Sequence, residues 1–313
     1  MIVTPSQSEL WSAGEQVCRQ FELGEIRQLE ALSHQGYSNF NARLETDLGA
    51  YVLRRYTEQP EEKINHELRL IDWLKEEDLP VVPPLRDPDG KARATPNQKC
   101  PSPWIVFPFV EGEEPVPQPA IAQAMGGLTA RLHELPEQPW GNQNDENLLS
   151  LQNTLTIARS LRKTRTSSAR DFLQLMERLT PELQDLSLPS GLVHGDLFPD
   201  NTIFRGNNLV AVLDWEEACF DHYLFDLAMT MHGFCYIDEE WHPNLASNFL
   251  AGYEAKRSLE PAESESLPLF LRWTPLAMAG WHLRRYSIAP NPRQAGRIEQ
   301  LLQRAQAIFD LEY

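Results

Sequence analysis

The sequence predicts an α+β fold: a small antiparallel sheet with one main helix over residues 1–110, then a larger, mostly helical part over 111–313. Three observations lead there. Strand-like runs joined by a tight turn fill 29–56, helical periodicity dominates after residue 120, and one polar stretch with two short strand-like runs, 192–217, interrupts the helices.

Taken in order, residues 8–21 read as a helix whose apolar contacts are Leu10, Trp11 and Val17. Runs 29–33, 39–46 and 50–56 read as strands, and Asp47-Leu-Gly49 supplies the turn between the last two. The loop His34-Gln-Gly-Tyr-Ser-Asn39 is rich in Gly and small polar residues. Such a loop can lay backbone N–H groups of Gly36, Ser38 and Asn39 over phosphates, although a plain hairpin loop has the same composition. Arg54 and Arg55 sit in the third strand and point to opposite faces if it is regular.

Residues 59–78 form the clearest helix of the first part. Pro60 suits its first turn, Glu61 and Glu62 its amino end, and Pro80 stops it. Its apolar stripe is Ile64, Leu68, Ile71 and Leu74, and Glu67 falls on the same stripe. A carboxylate pointing inward needs a partner. Lys63, one turn back, is the candidate at the surface, in a pair worth only about 0.2–0.5 kcal/mol. The run Trp-Ile-Val-Phe-Pro-Phe-Val at 104–110 reads as a buried strand whose ladder Pro108 breaks. Backbone groups freed around Phe107, Phe109 and Val110 can hydrogen-bond a planar heterocycle; a strand without any ligand is the alternative.

In the second part, residues 120–135 read as a helix with Ile121, Met125, Leu128 and Leu132 on one face, and His133 reads as structural. Loop composition follows at 136–149, then helical pattern at 150–187 with polar breaks near 164–168. Helices are expected at 268–285 and 292–311. Trp273, Trp281, His282, Arg284 and Arg285 there are either core or the lining of a pocket.

The central stretch holds the chemistry. Asp196 and Asn201 lie five apart on a polar loop. Strand-like runs 202–204 and 209–213, turned by Arg205-Gly-Asn-Asn208, then lead to Asp214. Asn201 and Asp214 are hard oxygen ligands suited to Mg²⁺, and Asp196 is a further carboxylate able to orient a hydroxyl and accept its proton. Asp and Asn also simply favour turns, so the spacing of the three, rather than any one of them, makes the signal.

His-Gly-Asp-x-x-x-x-Asn at 194–201 followed by Asp214-Trp-Glu216 resembles the signatures of the aminoglycoside phosphotransferase and choline kinase superfamily. The type II homoserine kinase branch is most similar, through His-Gly-Asp-Leu-Phe-Pro-Asp-Asn at 194–201 and Phe-Asp-Leu-Ala-Met-Thr-Met at 225–231. The resemblance implies a bilobal, protein-kinase-like fold with a nucleotide-binding lobe at 1–110 and a helical lobe at 111–313 that holds catalytic loop and acceptor pocket. It implies ATP and Mg²⁺ as cofactors, Asp196 as catalytic base, and Asn201 and Asp214 as metal ligands. Arg54 stands where the family usually has a lysine on the phosphates, with Arg55 as the fallback and Glu67 as its partner. Gly36, Ser38 and Asn39 would cover the phosphates, and Phe107, Phe109 and Val110 would hold adenine. Asp226 would anchor the catalytic loop and His194 position the metal loop. Glu216 or Glu217 faces an amine or lies at the surface. The leading acceptor is L-homoserine; choline or ethanolamine, a sugar or an aminoglycoside is the alternative. Arg54 also raises a nucleotide-binding protein without turnover.

Composition excludes other classes. A net charge of −17 repels nucleic acid. The basic cluster at 159–170 reads as a solvated helical face. Four cysteines form no Cys-x-x-Cys pair, so neither zinc nor a disulfide framework is expected. No Walker A motif occurs, which rules out a P-loop kinase. With no signal peptide and no membrane-length apolar run, the expected location is cytoplasmic, and the expected partner is a small-molecule hydroxyl acceptor, with no membrane and no nucleic acid. No motif sets an oligomeric state.

Overall fold

In the computed structural model, which describes residues 4–32, 39–57, 59–96, 102–140, 147–286 and 292–307, the chain divides into two units. One is Met1–Gly112 with Val210–Glu216; the other is Glu113–Leu209 with Glu217–Tyr313.

In the first unit, helix α1 (Gln7–Phe21) opens at a capping box: the Ser6 hydroxyl accepts from the Glu9 N–H, and the Glu9 carboxylate accepts from the Ser6 N–H at 2.8 Å. Strand β1 (Ile26–Ala31) begins earlier than the alternation indicates, because its register with β2 (Asn39–Thr46) slips between Ile26 and Gln28. Strand β3 (Ala50–Tyr56), helix α2 (Glu61–Glu76) and strands β4 (Arg93–Ala94) and β5 (Trp104–Pro108) follow. The five strands form one antiparallel sheet in the order β1-β2-β3-β5-β4. One face, built from Phe40, Ala42, Leu44, Leu53, Trp104 and Val106, packs against Leu10, Val17 and Phe21 of α1. On the other, Tyr56 and Ile105 pack against Ile64 and Leu68 of α2. Because side chains alternate along a strand, Arg54 shares the α2 face with Tyr56, and Arg55 the α1 face.

The second unit begins with α3 (Pro119–His133), α4 (Leu151–Leu161) and α5 (Ser167–Leu183). Strand β6 (Ser190–Val193) leads to a short hairpin, β7 (Thr202–Arg205) and β8 (Asn208–Val212), which turns at Gly206 with φ 58°. The chain passes into the first unit within β8 and returns at Glu217. Strand β9 (Cys219–His222) then pairs antiparallel with β6. Helix α6 (Tyr223–Phe234), the small strands β10 (Tyr236–Ile237) and β11 (Glu240–Trp241), and helices α7 (Pro243–Glu254), α8 (Pro261–Tyr286) and α9 (Pro292–Arg304) complete it. Among the described residues no helix is long and apolar enough to cross a membrane. Cys18, Cys219 and Cys235 are free thiols.

Two glycines let α3 and α7 approach with backbones touching. A Cβ at Gly126 would overlap the Phe249 carbonyl oxygen, and one at Gly252 would overlap that of Gln123. A carbonyl fixed in a helix cannot rotate aside, so the helices must separate. Gly126→Ala is therefore expected to cost about 1–3 kcal/mol and to lower the melting temperature by several degrees. An unshifted melt would mean that the crossing can widen freely.

Helix α8 starts seven residues before the sequence places it, and Pro268 and Pro275 lie inside it. Proline deprives the carbonyl four residues back of its donor. For Pro275 that carbonyl is Leu271, and His232 replaces the missing bond, its Nε2–H donating to the Leu271 oxygen at 2.7 Å. Burial pushes the His232 pKa down from 6.5 to about 3. Between these values the unfolded chain binds a proton that the folded chain does not. The stability His232 confers is thus complete above pH 6.5 and is lost as pH falls toward 3, by up to about 1.4 kcal/mol per pH unit. His232→Gln, which keeps a donor but cannot titrate, should flatten urea-measured stability across that window; parallel slopes for both proteins would contradict the assignment.

Candidate active site

In the first unit the site is built around Arg54. Sheet register sets Arg54 between Asn41 on β2 and Ile105 on β5, and Arg55 between Phe40 and Trp104, over whose rings its guanidinium lies at 5.5 and 5.6 Å. The two arginines therefore serve different faces. Arg54 Nη1 lies 3.1 Å from Asp214 Oδ1 and 3.5 Å from Glu67 Oε1, and its Nε donates to Asn41 Oδ1 at 3.3 Å. The Phe107 ring is 5.9 Å away. Burial opposes the arginine's charge, but Asp214, Tyr56 and Glu67 outweigh it and raise its pKa. Glu67 is 3% exposed, and the Tyr56 hydroxyl donates to its Oε2 at 2.9 Å. Burial pushes this carboxyl up to about 8, against the pull of Arg54.

Asp214 reaches this place through β8. Val212 is buried, bridges to Val81 and donates its N–H to the Pro80 carbonyl at 2.6 Å. Asp214 itself takes a left-handed φ of 59°, which aspartate tolerates better than most residues. The next residue, Trp215, is buried, with its indole N–H on the Val212 carbonyl at 3.3 Å. Glu216 Oε2 accepts from Asn39 Nδ2 at 2.7 Å and from Gln59 Nε2 at 3.4 Å, and burial followed by Asp214 raises its pKa. Asn39 is thus buried with its amide turned to Glu216, while Gly36 and Ser38 lie outside the described residues. Phe107, Phe109 and Val110 are half-buried. The Phe109 N–H is bonded to the Ala50 carbonyl at 3.0 Å, so it is not among the groups that Pro108 sets free.

In the second unit, β6 delivers the chain to His194 and Gly195. Gly195 has φ 80°, and a Cβ there would sit 2.7 Å from the Glu217 carbonyl oxygen, so only glycine fits. Asp226 on α6 is fully buried and accepts from the His194 N–H at 3.2 Å and the Gly195 N–H at 2.9 Å. His133 Nε2 lies 3.2 Å from the same carboxylate, and its Nδ1 lies 2.8 Å from the Tyr253 hydroxyl. Burial holds the His133 pKa down, so the ring is neutral: Nε2–H donates to Asp226 and Nδ1 accepts from Tyr253. For Asp226 burial acts upward, but the bonds from His133 and Gly195 prevail and lower its pKa. A 3₁₀ turn at Pro199–Asn201 then folds Asn201 back on Asp196, its Nδ2 donating to the Asp196 carbonyl at 2.7 Å and to Oδ2 at 3.0 Å. That leaves the amide oxygen Oδ1 as the acceptor of Asn201.

Tyr56, Asn41 and Tyr253 were not singled out from the sequence. Tyr56 had a signal, since it lies two residues from Arg54 on the same strand face; Tyr253 had none nearby in the chain. Of the aromatic and basic residues of α8, Trp281, His282 and Arg285 lie together, with the Trp281 and His282 ring centroids 5.0 Å apart and the Arg285 guanidinium over the Trp281 ring at 5.2 Å. Trp273 is buried in the core, whereas Arg284 and Arg285 are exposed.

The second unit thus carries the Asp196–Asn201 loop on the buried Asp226, and the first carries the strand cation Arg54 paired with Asp214 and Glu67. The family model described as "Phosphotransferase enzyme family" matches residues 29–265, and the chain belongs to that family. It is similar to the homoserine kinase of Methylorubrum populi, 29% identical over 262 residues that cover 81% of this chain and 79% of the relative. Among solved structures, a microcompartment-associated aminopropanol kinase matches with a TM-score of 0.73 at 19% identity, covering 93% of this chain and 94% of that one. The amicoumacin kinase hAmiN, in complex with AMP-PNP, Ca²⁺ and Ami, matches with a TM-score of 0.70 at 17% identity over 96% of both chains. The protein is a small-molecule kinase of α+β, protein-kinase-like fold, as its sequence predicts.

Proposed function

We propose that this enzyme transfers the γ-phosphoryl group of Mg-ATP to the hydroxyl of L-homoserine. The observation that supports it most is the Asp196–Asn201 loop: a carboxylate and an amide ligand tied to each other and set on the buried Asp226. The homoserine kinase relative supports the acceptor, and the AMP-PNP and Ca²⁺ of the amicoumacin kinase support nucleotide and divalent cation.

Asp196 orients the acceptor hydroxyl and takes its proton late, as a loose transition state requires; positioning supplies most of the rate. Asn201 Nδ2 donates to its Oδ2 at 3.0 Å and fixes the carboxylate. Arg54, steadied by Glu67, neutralises the non-transferred phosphates, with Gly36 and Ser38 as the covering-loop residues, Asn39 at the start of β2 after them, and Phe107, Phe109 and Val110 against adenine. The donors suit Mg²⁺: Asn201 and Asp214 offer an amide and a carboxylate oxygen, and Mg²⁺ commonly takes one or two protein oxygens with phosphate and water. Asn201 and Asp214 would hold the cation, which would supply charge neutralisation for the transferring group.

The test is ADP release with Mg-ATP across L-homoserine, L-threonine, choline, ethanolamine, hexosamines and an aminoglycoside. Turnover with homoserine alone is expected. Turnover with another acceptor instead would keep the mechanism and discard homoserine, and nucleotide binding without any turnover would favour the regulatory reading that Arg54 raises.

A further inference from the structure

We propose that Asn41 and Tyr56 are positioning residues that adapt this phosphate site to an arginine. The inference rests on the nucleotide-binding role of Arg54 given above. A lysine carries its donors only at the tip of the chain, whereas arginine has one more, Nε, nearer the backbone. In this protein that extra donor is used: Nε lies 3.3 Å from Oδ1 of Asn41. Asn41 is the residue directly across the sheet from Arg54, so the bond is built into the register of β2 and β3 rather than reached by a flexible side chain.

The far end of the guanidinium is held separately. Nη1 lies between Asp214 Oδ1 at 3.1 Å and Glu67 Oε1 at 3.5 Å. Glu67 is itself fixed, because the buried Tyr56 hydroxyl donates to its other oxygen at 2.9 Å. Tyr56 stands two residues beyond Arg54 on the same strand face, so Asn41, Arg54 and Tyr56 are aligned by one sheet. A planar group held at Nε and at Nη1 cannot swing, and a phosphate oxygen then meets donors whose orientation is already set. Substituting lysine would keep the charge and lose the Asn41 bond altogether.

A double-mutant cycle on the full chain tests this, read by calorimetric binding of AMP-PNP with Mg²⁺. Asn41→Ala is expected to weaken binding about fivefold when residue 54 is arginine, and less than about twofold in an Arg54→Lys protein. Tyr56→Phe should weaken it about threefold in the arginine protein, since Glu67 then loses its fixed orientation. In steady-state assays the KM for ATP should rise by similar factors, with kcat changing less. Equal losses with arginine and with lysine would reveal a merely structural Asn41 and overturn the proposal, as would no loss at all. Should Tyr56→Phe fail to fold, the Asn41 cycle decides alone. Wild-type protein that does not bind AMP-PNP would overturn the kinase reading together with this one, whereas wild-type binding with an additive cycle would overturn this proposal and leave the kinase reading standing.

Discussion

With Asp196 in its proposed role, Asp196→Asn is expected to lower kcat by about a thousandfold and to change AMP-PNP affinity by less than about twofold. The asymmetry follows from the loop. Asn201 Nδ2 donates to Asp196 Oδ2, and an asparagine at 196 can offer its carbonyl oxygen to the same donor. The loop bonds to Asp226 use the backbone of His194 and Gly195, and these survive the change. What is lost is the second oxygen: an amide NH₂ there cannot accept the hydroxyl proton. Single-turnover phosphoryl transfer and calorimetry on the same protein separate the two effects. A kcat within tenfold of wild type would mean that another group takes the proton.

Asp226→Ala is expected to destabilise the fold by about 3–5 kcal/mol. The side chain is fully buried, and its removal strands three donors at once: the His194 and Gly195 N–H groups and His133 Nε2. Water cannot replace it without entering a site packed by Tyr223, whose ring stacks on His133 at 4.5 Å. Gly195 is adjacent to Asp196, so turnover should fall further than the unfolded fraction explains. Urea unfolding followed by tryptophan fluorescence measures the loss, and kcat measured where the variant is fully folded measures the rest. A variant of near-native stability would show that the loop holds its shape without its anchor.

Much of the first unit was legible in local pattern. Helix α2 announced itself through Pro60, its acidic first turn and the Ile64, Leu68, Ile71 stripe. Glu67 stood out because a carboxylate on that stripe contradicts the pattern. The loop at 194–201 was legible because its spacing is local. Less legible was everything set by residues far apart in sequence. The return of Val210–Glu216 to the first unit depends on Val212 bridging Val81, and the pairing of β9 with β6 joins segments more than twenty-five residues apart. Neither leaves a mark on periodicity. Helix α8 began earlier than expected because Pro268 resembles a first-turn proline. Only the tertiary bond from His232 to Leu271 explains how the second proline, Pro275, is accommodated. The acceptor pocket was least legible, since aromatic residues at helical spacing look the same whether they face a ligand or a core, and Trp273 faces the core.

The most direct test of the account is ³¹P NMR of the protein incubated with Mg-ATP and L-homoserine. A new phosphomonoester resonance is expected that grows in step with ADP and is absent with Asp196→Asn. Release of inorganic phosphate alone, or ATP left intact beside every acceptor tried, would contradict it.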